Sequence, residues 1–234
     1  MVNYNIVFFP YAGGSSYSYG EYVHKLKKEG NIYLIDYAGH GKRYKEKPAK
    51  CFKELLQDID KQLQRIPKKN LVFFGHSMGA LVAAYASMHM YTYQNVSVHK
   101  LILSCCVSPE WVNKRMTKNT SDKELIEYLT DERDLTIREI MSQDFQKYFW
   151  PIIKNDFKII KEFNYFELCL PVHSLYCIYA TDDPIVNYNE ILSWKNYTNG
   201  YYSLYEVKGG HFFFEKYPEM FCELLNKIIE EIPY

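Results

Sequence analysis

Short apolar runs alternate with amphipathic stretches along this chain. Asn5-Ile6-Val7-Phe8-Phe9 is an apolar run closed by Pro10 and a Gly-Gly loop, and it predicts a first strand. Asn31 to Asp36 predicts a second, Leu71 to Phe74 a third and Lys100 to Cys105 a fourth. Val172 to Tyr179 and Tyr201 to Val207 predict the fifth and sixth. Between them lie helical patterns. Residues near Ser16 to Lys28 suit a helix, and Lys50 to Arg65 places Phe52, Leu55, Leu56, Ile59 and Leu63 on one face. A last helix is expected from about Pro218 to Glu231. Strands alternating with helices imply an α/β protein whose mainly parallel sheet, of six strands or more, is covered on both faces. One interval breaks the rhythm. From Ser108 to about Leu170 the pattern is helical only, as in Asp122 to Leu129 and Ser142 to Phe163. An insert after the fourth strand leaves from the C-terminal edge of a parallel sheet, where ligands bind, so residues 108–170 are expected to form a helical lid. The whole chain, 1–234, is expected to be one domain.

Bulk properties exclude several functions. The 234 residues carry 28 basic and 28 acidic side chains, and this balance argues against nucleic acid or an anionic membrane as partner. No apolar run approaches the roughly twenty residues of a membrane span. Met1-Val2-Asn3-Tyr4-Asn5 lacks the features of a secretion signal, so a cytoplasmic location is expected. The six cysteines (Cys51, Cys105, Cys106, Cys169, Cys177 and Cys222) form no CxxC pair and read as reduced thiols. No Cys/His cluster has ligand spacing, and neither metal nor cofactor is expected. A monomer is the default. Aromatic residues reach 17%, which suits a greasy pocket.

The candidate chemistry starts at Gly75-His76-Ser77-Met78-Gly79, between the third strand and the small-residue run Ala80 to Ala86. Strand, G-x-S-x-G and helix together predict a nucleophile elbow presenting Ser77 at a helix N-terminus. The glycines are expected to spare the tight turn a collision with its own backbone. A serine nucleophile needs a base, and the base a carboxylate, in the chain order Ser, acid, His. Of seven histidines, only His211, in Gly209-Gly210-His211-Phe212, follows the last strand. His76 lies in the elbow and reads as packing. His173 would begin strand five, His40 lies in a Gly-flanked loop, and His24, His89 and His99 read as surface or core. Thr181-Asp182-Asp183-Pro184 leaves strand five with two candidates. Asp183 is preferred because the residue before proline is kept out of helical geometry, with Asp182 second. Oxyanion donors would be the N–H groups of Met78 and of Ala12, in the loop after strand one.

These residues resemble the type II thioesterases, stand-alone members of the α/β-hydrolase superfamily that accompany nonribosomal peptide and polyketide synthetases. Phe9-Pro10-Tyr11-Ala12-Gly13-Gly14-Ser15 resembles the family opening F-P-[HY]-A-G-G-S. Asp36 to Arg43 resembles its P-G-R/H-x-x-R loop, with Ala38 in place of proline. Pro151 to Lys158 is similar to a lid segment P-x-x-R-A-D-F, and Gly209 to Phe213 to the closing G-G-H-F-F. Ala180 stands where the family has glycine before the acid. The resemblance implies an α/β-hydrolase fold. It also implies hydrolysis of acyl or aminoacyl thioesters on the phosphopantetheine arm of acyl or peptidyl carrier proteins. A carboxylester hydrolase, an acyltransferase or a non-catalytic binding module could share the scaffold. Lys42-Arg43-Tyr44-Lys45-Glu46-Lys47 is a candidate docking rim for acidic carriers, or simply a solvated loop. Phe145, Phe149, Trp150 and Phe157 are candidates for an acyl groove or for lid packing.

Overall fold

The computed structural model describes residues 3–26, 30–115, 121–133, 135–161 and 170–231. Six strands, β1 (Tyr4–Phe9), β2 (Gly30–Leu34), β3 (Leu71–His76), β4 (Val98–Ser104), β5 (Val172–Ala180) and β6 (Tyr201–Val207), form one sheet. Its order is β2-β1-β3-β4-β5-β6 and every pair is parallel. The apolar runs that predict strands are continuous because both faces are covered. In β1, Val7 and Phe9 point into one core and Ile6 and Phe8 into the other; in β3, Phe73 and Phe74 divide the same way. Helices α1 (Phe52–Leu63) and α2 (Met78–Gln94) cover the first face, with Phe52 edge-on to Tyr85 at 5.2 Å. Helix α5 (Pro218–Glu230) covers the second through Phe221, Leu225 and Ile228. Four of the five residues expected on the inner face of α1 are buried and Leu56 is half-buried.

Between β4 and β5 the described chain is helical. Helix α3 (Asp122–Glu132) opens on a capping box in which the Ser121 hydroxyl accepts from the Glu124 N–H. Helix α4 (Trp150–Lys161) follows a wider π-turn at Phe145–Phe149. Pro151 has no N–H to return to that turn, and the helix expected from Ser142 runs on without interruption through one π-turn instead of as uniform α-helix. The expected end at Phe163, like Lys28 and Cys169, lies outside the described residues. The stretch expected to be one helix from Ser16 is a 3-10 turn, Ser16–Tyr19, running into the short helix Gly20–Val23. Strand β2 stops two residues earlier than expected because the Asp36 side chain turns away to accept the Ser16 N–H (2.7 Å), the Ser16 hydroxyl and the Lys42 N–H.

The elbow glycines are needed, though one for an unexpected reason. A Cβ on Gly75 would lie 2.5 Å from the Ala80 nitrogen and closer still to the Gly79 carbonyl, a clash within the turn itself. A Cβ on Gly79 would instead lie 2.7 Å from the Pro10 carbonyl oxygen and closer to that of Phe9. Gly79 therefore lets α2 cross the end of the neighbouring β1. Helix propensity favours alanine over glycine by about 1 kcal/mol. At Gly79 the opposing partner is backbone that cannot yield, and overpacking of this kind costs about 1–3 kcal/mol or more. Gly79→Ala is thus expected to lower the urea midpoint. Gly20→Ala, where a Cβ meets nothing within 4 Å, is expected to raise it.

Candidate active site

Ser77 sits between β3 and α2 with φ 54° and ψ −121°, a left-handed conformation that a non-glycine residue adopts at a cost. Its N–H donates to the Ser104 carbonyl at 2.9 Å, which anchors the turn to the end of β4. The half-buried Ser77 side chain borders a cavity of about 180 Å³ together with Ala12, Met78 and His211. The rest of the wall is mostly apolar, including Leu81, Val107, Val112, Phe157 and Ile160, with Tyr128 bringing a phenol.

His211 stands on the loop after β6. Gly209 there has φ 133°, and a Cβ on it would lie 2.8 Å from that of Phe213. His211 Nδ1 faces Asp183 Oδ2 at 2.8 Å, and the two side chains are 1% and 0% exposed. Asp183 Oδ1 accepts the Ile185 N–H at 2.7 Å and the Val186 N–H at 3.1 Å, so the turn after β5 fixes the carboxylate. His211 Nε2 is buried with no hydrogen-bond partner among the described residues. Asp182 is exposed instead, and its backbone N–H ties the β5 turn to the Gly209 carbonyl at 2.9 Å. Of the two neighbours, Asp183 is therefore the one that meets the imidazole.

His76 packs as expected, buried with its ring 4.9 Å from that of His211 and Nδ1 on the Ser104 hydroxyl at 3.1 Å. Burial, then the His211 and Arg133 charges, push it well below the ordinary histidine value and keep it neutral. His173 lies at the start of β5.

Four residues near the site were not read as part of it. Cys105, with φ 45°, places its Sγ within 4.8 Å of the Asp183 and His211 donor atoms. Burial, then the Asp183 charge, push this thiol well above its usual range, which makes it a poor nucleophile. The five described cysteines are all free. Glu132, at the end of α3, accepts the His211 N–H at 3.3 Å, and burial raises its carboxyl above the usual range. The other two, His40 and Asp156, pair at 2.9 Å with side chains 3% and 2% exposed. Burial alone would lower the His40 imidazole. The Asp156 carboxylate, the Ala38 carbonyl and the more distant Asp36 charge outweigh it and hold His40 above its ordinary value. Tyr37 also faces the ring, edge-on at 5.5 Å. A raised folded value adds stability that is full below the unfolded pKa of about 6.5 and is lost as pH rises through the folded value. The urea midpoint of the wild type is expected to fall over that window, and that of His40→Gln to stay flatter.

Two surface expectations divide. In the basic stretch, Arg43 is occupied by Asp58, Glu46 and the Asp36 carbonyl, which leaves Lys42, Lys45 and Lys47 exposed. Of the four candidate aromatics, Phe157 lines the cavity. Phe145 and Trp150 pack on the cluster of Leu129, Ile140 and Ile153, and Phe149 faces solvent.

The thioesterase domain model matches residues 5–229, nearly the whole chain. The chain belongs to the thioesterase family. Within it, this thioesterase is 26% identical over 234 residues to the probable anguibactin biosynthesis thioesterase AngT of Vibrio anguillarum, covering 96% of this chain and 91% of that protein. Its fold is that of ClbQ from the colibactin NRPS/PKS pathway, with TM-score 0.85, 20% identity and 97% of each chain covered. It is also that of YbtT, a type II thioesterase from the yersiniabactin NRPS/PKS pathway, with TM-score 0.82, 20% identity, and 96% and 92% covered. Among the described residues, no helix is long and apolar enough to cross a membrane.

Proposed function

We propose that this chain is a type II thioesterase that clears acyl groups from the phosphopantetheine arm of carrier proteins, with Ser77, His211 and Asp183 as its triad. The observation that carries the reading is the Asp183–His211 hydrogen bond beside a cavity that Ser77 shares. His211 Nε2 takes the Ser77 proton as Oγ attacks the thioester carbonyl, while Asp183 orients the imidazole and stabilises its cation. The N–H groups of Ala12 and Met78 receive the oxyanion. Collapse of the tetrahedral species expels the pantetheine thiol, which takes the proton from His211 and leaves acyl-Ser77. Water, deprotonated by His211, then releases the acid and regenerates Ser77. Residues 108–170 act as the lid of a single domain.

The cavity wall supports the choice of acyl group. Among the described residues, no carboxylate or ammonium side chain borders it, so an uncharged, apolar acyl chain is accommodated without an unpaired buried charge. A panel of carrier proteins loaded with butyryl, hexanoyl, aminoacyl and malonyl groups, read by mass spectrometry, tests this reading. Fastest release of the uncharged chains is expected. Strong preference for oxygen esters over all thioesters would overturn it in favour of a carboxylester hydrolase, and transfer to a second thiol would favour an acyltransferase.

A further inference from the structure

Ala12 lies between two peptide planes, and each is fixed by a different partner. Its own N–H shares a plane with the Tyr11 carbonyl, which accepts the Gly14 N–H at 2.8 Å. Trans peptide geometry sets that N–H opposite the carbonyl. The next plane ends in the Gly13 N–H, which donates to Asp156 Oδ2 at 2.7 Å. With a hydrogen bond on each plane, the backbone angles of Ala12 are restrained from both sides, and so is the direction of its N–H.

Asp156 comes from α4, a helix of the insertion, 143 residues along the chain from Gly13. The same helix touches Gly13 a second time. Gly13 has φ 74°, and a Cβ there would lie 2.7 Å from Ile153 Cγ1, one turn before Asp156. The carboxylate is itself held. Its Oδ2 faces His40 Nε2 at 2.9 Å, and His40 Nδ1 faces the Ala38 carbonyl at 3.1 Å. Both ring nitrogens thus face oxygen atoms, the arrangement that suits an imidazolium against a carboxylate. Tyr37 donates to the Pro10 carbonyl at 2.8 Å and fixes the start of the same loop. A buried ion pair costs desolvation that an apolar contact would not. What this one adds over such a contact is direction, imposed on a single peptide plane.

We infer that Asp156, backed by His40, is a positioning residue that aims the Ala12 N–H at the developing oxyanion, which makes the helical insertion a working part of the oxyanion site. This rests on Ser77 being the nucleophile. Loss of an oxyanion donor costs about 10²–10³ in kcat, and a donor loosened rather than removed is expected to cost about 10–100-fold.

The test measures acyl-pantetheine hydrolysis by the full chain, with wild type and Ser77→Ala as controls for the proposed function. Asp156→Ala is expected to lower kcat about 10–100-fold with KM within about twofold. Its affinity for an acyl trifluoromethyl ketone, bound as a tetrahedral adduct, should fall by the same factor. Asp156→Asn keeps an oxygen for Gly13 and should recover part of both losses. Amide exchange of residues 11–15 should quicken in Asp156→Ala, a readout that needs no turnover. Unchanged kcat and ketone affinity in a folded Asp156→Ala, or unchanged exchange at residues 11–15, would overturn the inference. An inactive wild type would sink the proposed function and the oxyanion role with it, while the exchange result would still show whether Asp156 holds residues 11–15 in place.

Discussion

Ser77→Ala is expected to lower kcat on an acyl thioester by about 10⁶-fold and to abolish the mass adduct left by a fluorophosphonate. The size follows from what is lost. Oxyanion donors and the cavity remain, but no atom in reach can form the acyl intermediate. Cys105 is close enough to be considered, yet burial and the Asp183 charge keep its thiol protonated. Cys105→Ala should therefore retain turnover and the fluorophosphonate adduct. Stability should move the other way at the elbow. Ser77 occupies φ 54°, which costs a non-glycine residue about 1–3 kcal/mol, so Ser77→Gly should unfold at higher urea than the wild type while being equally dead as Ser77→Ala. A Ser77→Gly protein that is less stable than the wild type would show that the turn carries no such strain.

The second large effect separates neighbours. Asp183→Asn is expected to lower kcat about 10⁴-fold, and Asp182→Asn only a few-fold. The amide introduced by Asp183→Asn can still accept the Ile185 and Val186 N–H groups through its oxygen. Its NH₂ then faces His211 Nδ1 and forces the proton onto Nε2, the tautomer that cannot take a proton from Ser77. The fold should be unaffected, because the same backbone bonds persist. At Asp182 the side chain is exposed, and the contribution to the site is the backbone bond to Gly209, which asparagine keeps. Steady-state kinetics on both variants, with matched urea midpoints, checks the ranking. Equal losses would mean that the two carboxylates share the role.

The sheet was legible because its central strands are largely apolar, the pattern of strands covered on both faces, while the half-buried edge strands β2 and β6 still carry isoleucine, leucine, valine and tyrosine. The elbow was legible because its chemistry is local: strand, glycine, serine, glycine and helix are consecutive. His211 and Asp183 followed from chain order and from the turn each occupies. What stayed hidden depends on contacts between distant segments. His40 and Asp156 are 116 residues apart, and nothing in either segment alone says that they pair. Both lie in stretches with a family resemblance, which was the available signal. Cys105 read as the last residue of a strand, and only the adjacency of β4 and β5 brings it beside Asp183. Arg43 read as a surface charge in a basic run. Its engagement by Asp58 depends on where α1 packs.

The most direct test of the account is rapid-quench mass spectrometry of the wild type mixed with a hexanoyl-pantetheine thioester. A transient hexanoyl group should appear on the peptide carrying Ser77 and be absent from Ser77→Ala. Hydrolysis with no acyl-enzyme at any time point, or with the acyl group on Cys105, would contradict the account.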